Sequence, residues 1–193
     1  DITERVQMED DLRTARTQAE KGVHRMTQLQ KLTAALSQAV TPAEIAQMVV
    51  EQGVPILGAV GSSILLVDEE NRVMEMMYSS IDESIARPYA RFPLSLKVPS
   101  TDAVHSGQPV WISSQEEYLE RYPHLADQIR NWGNQAALAF PMVYKGRVLG
   151  TLTLSFDRPM FFSSEDQEYL LTLARQAAQA LERARIDSAL QWE

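Results

Sequence analysis

The chain has 193 residues, a net charge of -8 and a pI near 5.0. Its length and a hydrophobic share of 45% suit one globular domain with room for extra helices, and its acidity argues against nucleic acid or an anionic membrane as a partner. The absence of cysteine excludes disulfides, thiolate catalysis, cysteine-held metals and thioether-linked chromophores together, and it fits a reducing cytoplasm.

Residues 3 to about 39 contain no proline and predict one helix. Leu12, Ala15, Ala19, Gly22, Met26, Leu29, Thr33 and Leu36 follow a 3-4 spacing, which is a heptad seam with small residues at several positions. Acidic and basic residues are interspersed along it, as on a solvated helix exterior. The seam is read as pairing across a dimer; the alternative is a single amphipathic helix packed on its own domain. Thr41, Pro42 and Glu44 then form a capping box that opens a second helix, with Ile45, Met48 and Val49 on its apolar face.

Residues 60–67 predict a strand, 68–71 a turn and 73–79 a second strand, together a hairpin. The apolar run 54–67 is shorter than the ~20 residues needed to cross a bilayer and is interrupted by Pro55, Gly58 and Gly61. Residues 81–97 have no clean period. Ser100, Thr101 and Asp102 open a short helix that Gly107 can close, residues 110–112 form a short strand, and Ser114 with Glu117 starts a helix running toward Arg130. Two further strands surround Lys145 and Gly146; Val148, Leu152, Leu154 and Phe156 share one face there, and Thr151, Thr153 and Ser155 the other. Gly150 suits a bulge or a close backbone approach. Ser163, with Asp166 three residues on, caps a last helix whose Leu170, Ala174, Ala177, Leu181, Ala184 and Ser188 again follow 3-4 spacing. Helices at both ends and a mainly antiparallel sheet of five counted strands make an α+β pattern.

Motifs of catalysis are missing. His24, His105 and His124 fall in separate segments without ligand spacing, so no metal is expected. Gly58 and Gly61 fit no phosphate loop, and no nucleophile elbow is present. Glu116-Glu117 and Asp68-Glu69-Glu70 sit at a helix start and a turn, where solvated acids are ordinary.

The series Pro141, Gly146, Gly150, Leu152, Leu154 followed by the capped helix resembles the C-terminal half of a GAF domain, a family of small-molecule-sensing and dimerising modules in signalling proteins. The resemblance spans about 29–185 and also draws on Thr41-Pro42, the first hairpin and Ser106-Gly107-Gln108-Pro109-Val110. It implies six antiparallel strands, with terminal helices on one face and a ligand pocket under loops on the other. The uncounted strand must then lie within 81–96 or in a loop. By analogy with that fold, and from the aromatic cluster between Tyr78 and Trp132, the contacts of a bound small molecule would be Tyr78, Phe92, His105, Trp111 and Tyr118. Cyclic-nucleotide-binding members carry Asn-Lys and then Phe-x-x-x-Asp-Glu. Here Phe162 and Asp166 remain, Gln167 replaces the Glu and Asn-Lys is absent, so a cyclic nucleotide is not expected. Without cysteine, neither is a covalent bilin.

Asp1-Ile2-Thr3-Glu4-Arg5 is similar to the junction that leaves a PAS sensor domain. No signal peptide stands at Asp1, and the chain reads as a piece of a longer protein. The two resemblances imply a tandem PAS–GAF sensor with a histidine kinase, diguanylate cyclase or phosphatase output, divided here into a signalling helix (1–36), the GAF domain (37–185) and an outgoing segment (186–193). The expected form is a cytoplasmic, non-enzymatic homodimer paired through Leu12, Met26, Leu29, Leu36, Leu170, Ala174, Ala177 and Leu181. A ligand-free spacer is the alternative. A redox enzyme like the free methionine sulfoxide reductases of this fold is more remote, because those depend on cysteines.

Overall fold

Period-two hydrophobicity organises the centre of the chain. The strands β1 (Gly61–Asp68), β2 (Val73–Ser79), β3 (Arg91–Pro93), β4 (Val110–Ile112), β5 (Ala136–Tyr144) and β6 (Arg147–Phe156) form one antiparallel sheet ordered β3-β2-β1-β6-β5-β4. This is a computed structural model, and it describes residues 1–190. The sixth strand is β3, inside the stretch that showed no period. Three residues are too few to display one, and pairing with β2 defines it.

The hairpin turns follow from local chemistry. Asp68 accepts from the backbone and side chain of Asn71 in the first. In the second, Lys145 and Gly146 both take positive φ, 47° and 78°, the pairing a two-residue turn between twisted strands requires. Gly150 lies at a register shift between β5 and β6. A Cβ there would stand 2.0 Å from the Leu65 carbonyl oxygen, so no other residue lets β1 and β6 approach this closely.

Helices α1 (Ile2–Leu36), α2 (Pro42–Met48) and α7 (Ser164–Leu190) cover one face. The Thr41–Glu44 capping box forms in both directions, as does the Ser163–Asp166 pair. The core of this face joins Ile64, Leu138, Leu152, Leu154 and Phe156 of the sheet to Leu32, Leu36, Leu170, Leu173, Ala177 and Leu181 of the helices.

The opposite face carries α3 (Glu83–Ala86), α4 (Pro99–Ser106), α5 (Gln115–Arg121) and α6 (Ala126–Trp132). The helix expected from Ser114 to Arg130 is two helices. Pro123 has no N–H to continue the first, and a 3-10 turn, Pro123–Leu125, redirects the chain. The outgoing segment, expected at 186–193, continues α7 to Leu190, and its final three positions lie outside the described residues.

Candidate ligand cavity

The centre of the second face is floored by small side chains. Gly61 and Ser63 on β1 stand opposite Ser155 and Thr153 on β6, and Ala137 on β5 stands beside Ser155. Such residues cannot reach the covering segments, while Leu65, Met76 and Phe92 around them can. The result is a cavity of about 330 Å³. Its walls are aromatic. Tyr89 stands edge-on to Phe92 at 6.3 Å and to Trp132 at 5.4 Å, pairings worth ~1 kcal/mol each beyond burial. Tyr118 on α5, Ser100 on α4 and Asn134 after α6 close the remainder.

The hydroxyls of Ser63 and Thr153 satisfy each other across the floor at 2.6 Å. Asp82 is the charged residue of the lining. It caps α3, accepting from the hydroxyl and, at 2.9 Å, the backbone N–H of Ser84, and those bonds hold its carboxyl below the usual range. Burial, reinforced by Tyr89, pushes the Tyr118 phenol up to about 12, so at neutral pH it is a hydrogen-bond donor.

Of the five expected contacts, the fold brings Phe92 and Tyr118 to this cavity. Tyr78 and Trp111 lie on the helix-covered face because of strand parity. Tyr78 pairs with Ile64 and donates to Glu51 Oε1 at 2.5 Å. Trp111 pairs with Leu138 and packs on Phe140 and Phe162. His105 Nε2 meets the Leu94 carbonyl at 2.9 Å and pins the segment between β3 and α4. Tyr89 and Trp132 belong to the aromatic cluster but not to the five expected contacts, and Ser100 and Asn134 carry no expectation as contacts. Tyr89 sits in the stretch without a period, and the other three arrive on helix ends whose approach no local pattern specifies. The floor did leave a signal, in the small polar residues that alternate with Leu152 and Leu154.

The expected dimer contacts divide as well. Leu36, Leu170, Ala174, Ala177 and Leu181 are buried within the chain and Leu29 packs against them. The helix face of the sheet needs a cover, and these residues are that cover rather than a free seam. Leu12 and Met26 are 73% and 63% exposed. Among the described residues no group of three or more His, Asp or Glu could hold a metal ion; His24 is exposed on α1, and His124 Nε2 meets the Lys97 carbonyl at 2.6 Å.

A family model for the GAF domain matches residues 39–182. The fold is similar to the GAF domain of a phosphoenolpyruvate-protein phosphotransferase from Acinetobacter, with 20% identity over 86% of this chain and 98% of that one, and a TM-score of 0.70. The corresponding domain from Coxiella burnetii gives 18% identity, 86% and 96% coverage and a TM-score of 0.71. A domain from Sinorhizobium meliloti 1021, described as part of a two-component sensor histidine kinase, gives 23%, 78% and 96%, and 0.64. No curated protein sequence matches the chain.

Proposed function

The chain belongs to the GAF domain family, and from that premise we propose that it is a sensory module: the cavity takes a small molecule, and the flanking helices carry the consequence to neighbouring domains. The observation behind this reading is the single sheet that separates them. Ser63 and Thr153 line the cavity, while Ile64 and Leu152, alternating with them on the same strands, are buried in the core shared with α7. A close-packed layer does not deform continuously, so a ligand that moves the floor moves the bed of the helix. The ligand must bind one helix arrangement better than the other for this to signal.

The helices are placed to enter and to leave. Arg25 of α1 donates to Asp166 at the start of α7 at 2.5 Å, and Arg183, further along α7, donates to the Leu36 carbonyl at 2.5 Å. The two helices therefore run side by side in the same direction. From Ile2 to His24 every residue of α1 is exposed, a free rod of about 34 Å. A second copy of the chain is the proposed partner of that rod, meeting it along Met8 and Leu12 and, just beyond its end, the exposed Met26. Upstream, the similarity of Asp1–Arg5 to a PAS exit supports a PAS neighbour. Downstream, the output is a domain such as the histidine kinase of the Sinorhizobium relative's description. No described helix is long and apolar enough to cross a membrane; the acidic, cysteine-free composition supports a cytoplasmic module, and the missing catalytic motifs support a non-enzymatic one.

The chain's lack of cysteine makes the test clean. Leu12→Cys under mild oxidation is expected to give a disulfide-linked dimer, and light scattering on the parent chain twice the monomer mass at micromolar concentration. A monomer at all concentrations overturns the paired rod. In the longer protein, a four-residue insertion after Arg185 is expected to uncouple output and a seven-residue insertion to restore it; output indifferent to insertion length overturns helical relay. A ligand-free spacer is the second reading, favoured by the direct Arg25–Asp166 and Arg183–Leu36 links, which join entry to exit without passing through the cavity.

A further inference from the structure

The lining of the cavity restricts what it can hold. It contains no lysine, arginine or histidine, and its charged residue is the acid Asp82 at the rim. A phosphate or carboxylate entering there would give up its water and meet no cation, a large penalty. The unsatisfied groups are all neutral. Tyr118, Ser100 and Asn134 are each nine-tenths buried or more, and the Tyr118 hydroxyl, the Ser100 hydroxyl and the Asn134 carboxamide have no hydrogen-bond partner among the described residues. Asn134 engages its neighbours through its backbone alone, accepting from Gln115 Nε2 at 3.0 Å and donating to the Ile129 carbonyl at 3.3 Å.

These groups describe a complement. A carboxamide presents a donor and an acceptor side by side, and so matches an edge with an adjacent acceptor and donor. A protonated phenol asks for an acceptor. Walls made by Tyr89, Phe92 and Trp132 favour a flat π-system. A volume of about 330 Å³ lies at the small end of ligand sites, room for one or two fused rings and too little for a tetrapyrrole.

We infer that the ligand of this cavity is an uncharged, flat heteroaromatic of one or two fused rings, held by Asn134 at an edge carrying an adjacent donor and acceptor, with Tyr118 and Ser100 completing its polar contacts. The inference rests on the cavity being the module's ligand site and adds the chemical class.

The experiment measures binding of five probes to the whole chain by thermal shift and calorimetry: adenine, hypoxanthine, indole, adenosine and AMP. A ligand that binds the native state raises Tm. Adenine or hypoxanthine is expected to bind saturably. AMP, the same base carrying a ribose and a phosphate dianion, and indole, flat but without the paired edge, are each expected to bind at least tenfold more weakly, while adenosine, which adds the ribose alone, separates the effect of the sugar from that of the charge. Asn134→Leu should weaken base binding tenfold or more. Tyr118→Phe should weaken it severalfold while leaving the Tm of the free protein unchanged, since its hydroxyl has no protein partner to lose. AMP binding as tightly as adenine, undiminished binding by a folded Asn134→Leu, or no saturable binding of either base overturns the ligand class. None of those results bears on cross-linking through Leu12→Cys or on the insertion series, so the class can fail while the relay stands. Saturable adenine binding together with insertion-insensitive output would be the reverse.

Discussion

On the helix side of the sheet, Leu138, Leu152, Leu154 and Phe156 are at most 1% exposed and join Leu170, Leu173 and Ala177 in a closed core. On the other side the same strands carry Ala137, Thr153 and Ser155, and a void of about 330 Å³ stands where large side chains would otherwise meet the cover. Strand alternation permits this division, since successive residues answer to different neighbours. One face is filled and specifies the fold. The other is left under-filled over a limited area, at some loss of stability, and the polar side chains that line it face open space instead of a packed neighbour. The two faces should therefore respond differently to the same kind of substitution.

Gly150→Ala tests what both faces share. Its Cβ would collide with the Leu65 carbonyl, and we expect loss of the folded state at 37 °C, read as absent cooperative melting. Next, Leu173→Ala on the helix face should cost ~2–5 kcal/mol in urea denaturation, the usual price of a cavity in a closed core. Ala177→Leu and Ala137→Leu form a matched pair across the sheet. The first overpacks and should cost ~1–3 kcal/mol, whereas the second grows into the void and should stay within ~1 kcal/mol. Equal costs for the pair would show the two faces to be equally packed and end the comparison.

Two tyrosines sharpen it further. Tyr169 donates to the Gly53 carbonyl at 2.5 Å, while the Tyr118 hydroxyl has no such bond. Tyr169→Phe should lose ~1 kcal/mol, and Tyr118→Phe close to nothing. Burial raises both phenols to about 12. A folded-state pKa above the ordinary value of 10.0 contributes stability that is complete below pH 10 and lost as pH rises toward about 12. Denaturation midpoints should fall over that interval, and the tyrosinate absorbance of these two residues should appear only with unfolding. A modest and local effect is expected from Arg25→Ala. The Arg25–Asp166 pair is about one-fifth exposed on each side, between the surface and buried regimes, and its loss should cost ~1 kcal/mol. Hydrogen exchange should then rise in α1 from Arg25 to Leu36 and not in the strands.

Legibility followed the range of the interactions involved. The capping boxes at Thr41–Glu44 and Ser163–Asp166, the turn at Lys145-Gly146 and the close approach at Gly150 could be read because each is set by neighbours in sequence or by the absence of a side chain. Strand β3 could be expected only from family resemblance, since three residues carry no period. Tyr78 and Trp111 looked like cavity residues because aromatic clustering along the chain does not reveal parity; register with Ile64 and Leu138 sends them to the helix face. The heptad seams of α1 and α7 were legible as apolar stripes, but a stripe does not name what covers it. For α7 and the last turns of α1 the cover is the chain's own sheet, while Leu12 and Met26 stay bare.

The sequence by itself determined the α+β class, the hairpins, the helix starts and the alternation of large with small residues on β6, all properties of residues within a turn or two of one another. Tertiary structure alone decided which face each strand side chain serves, that Asn134, Ser100 and Tyr118 leave unpaired polar groups around one void, and that no cation accompanies them. Those facts depend on segments from Gly61 to Ser155 meeting across the sheet, and side chains so far apart in the chain acquire a shared environment only when the backbone has closed around them.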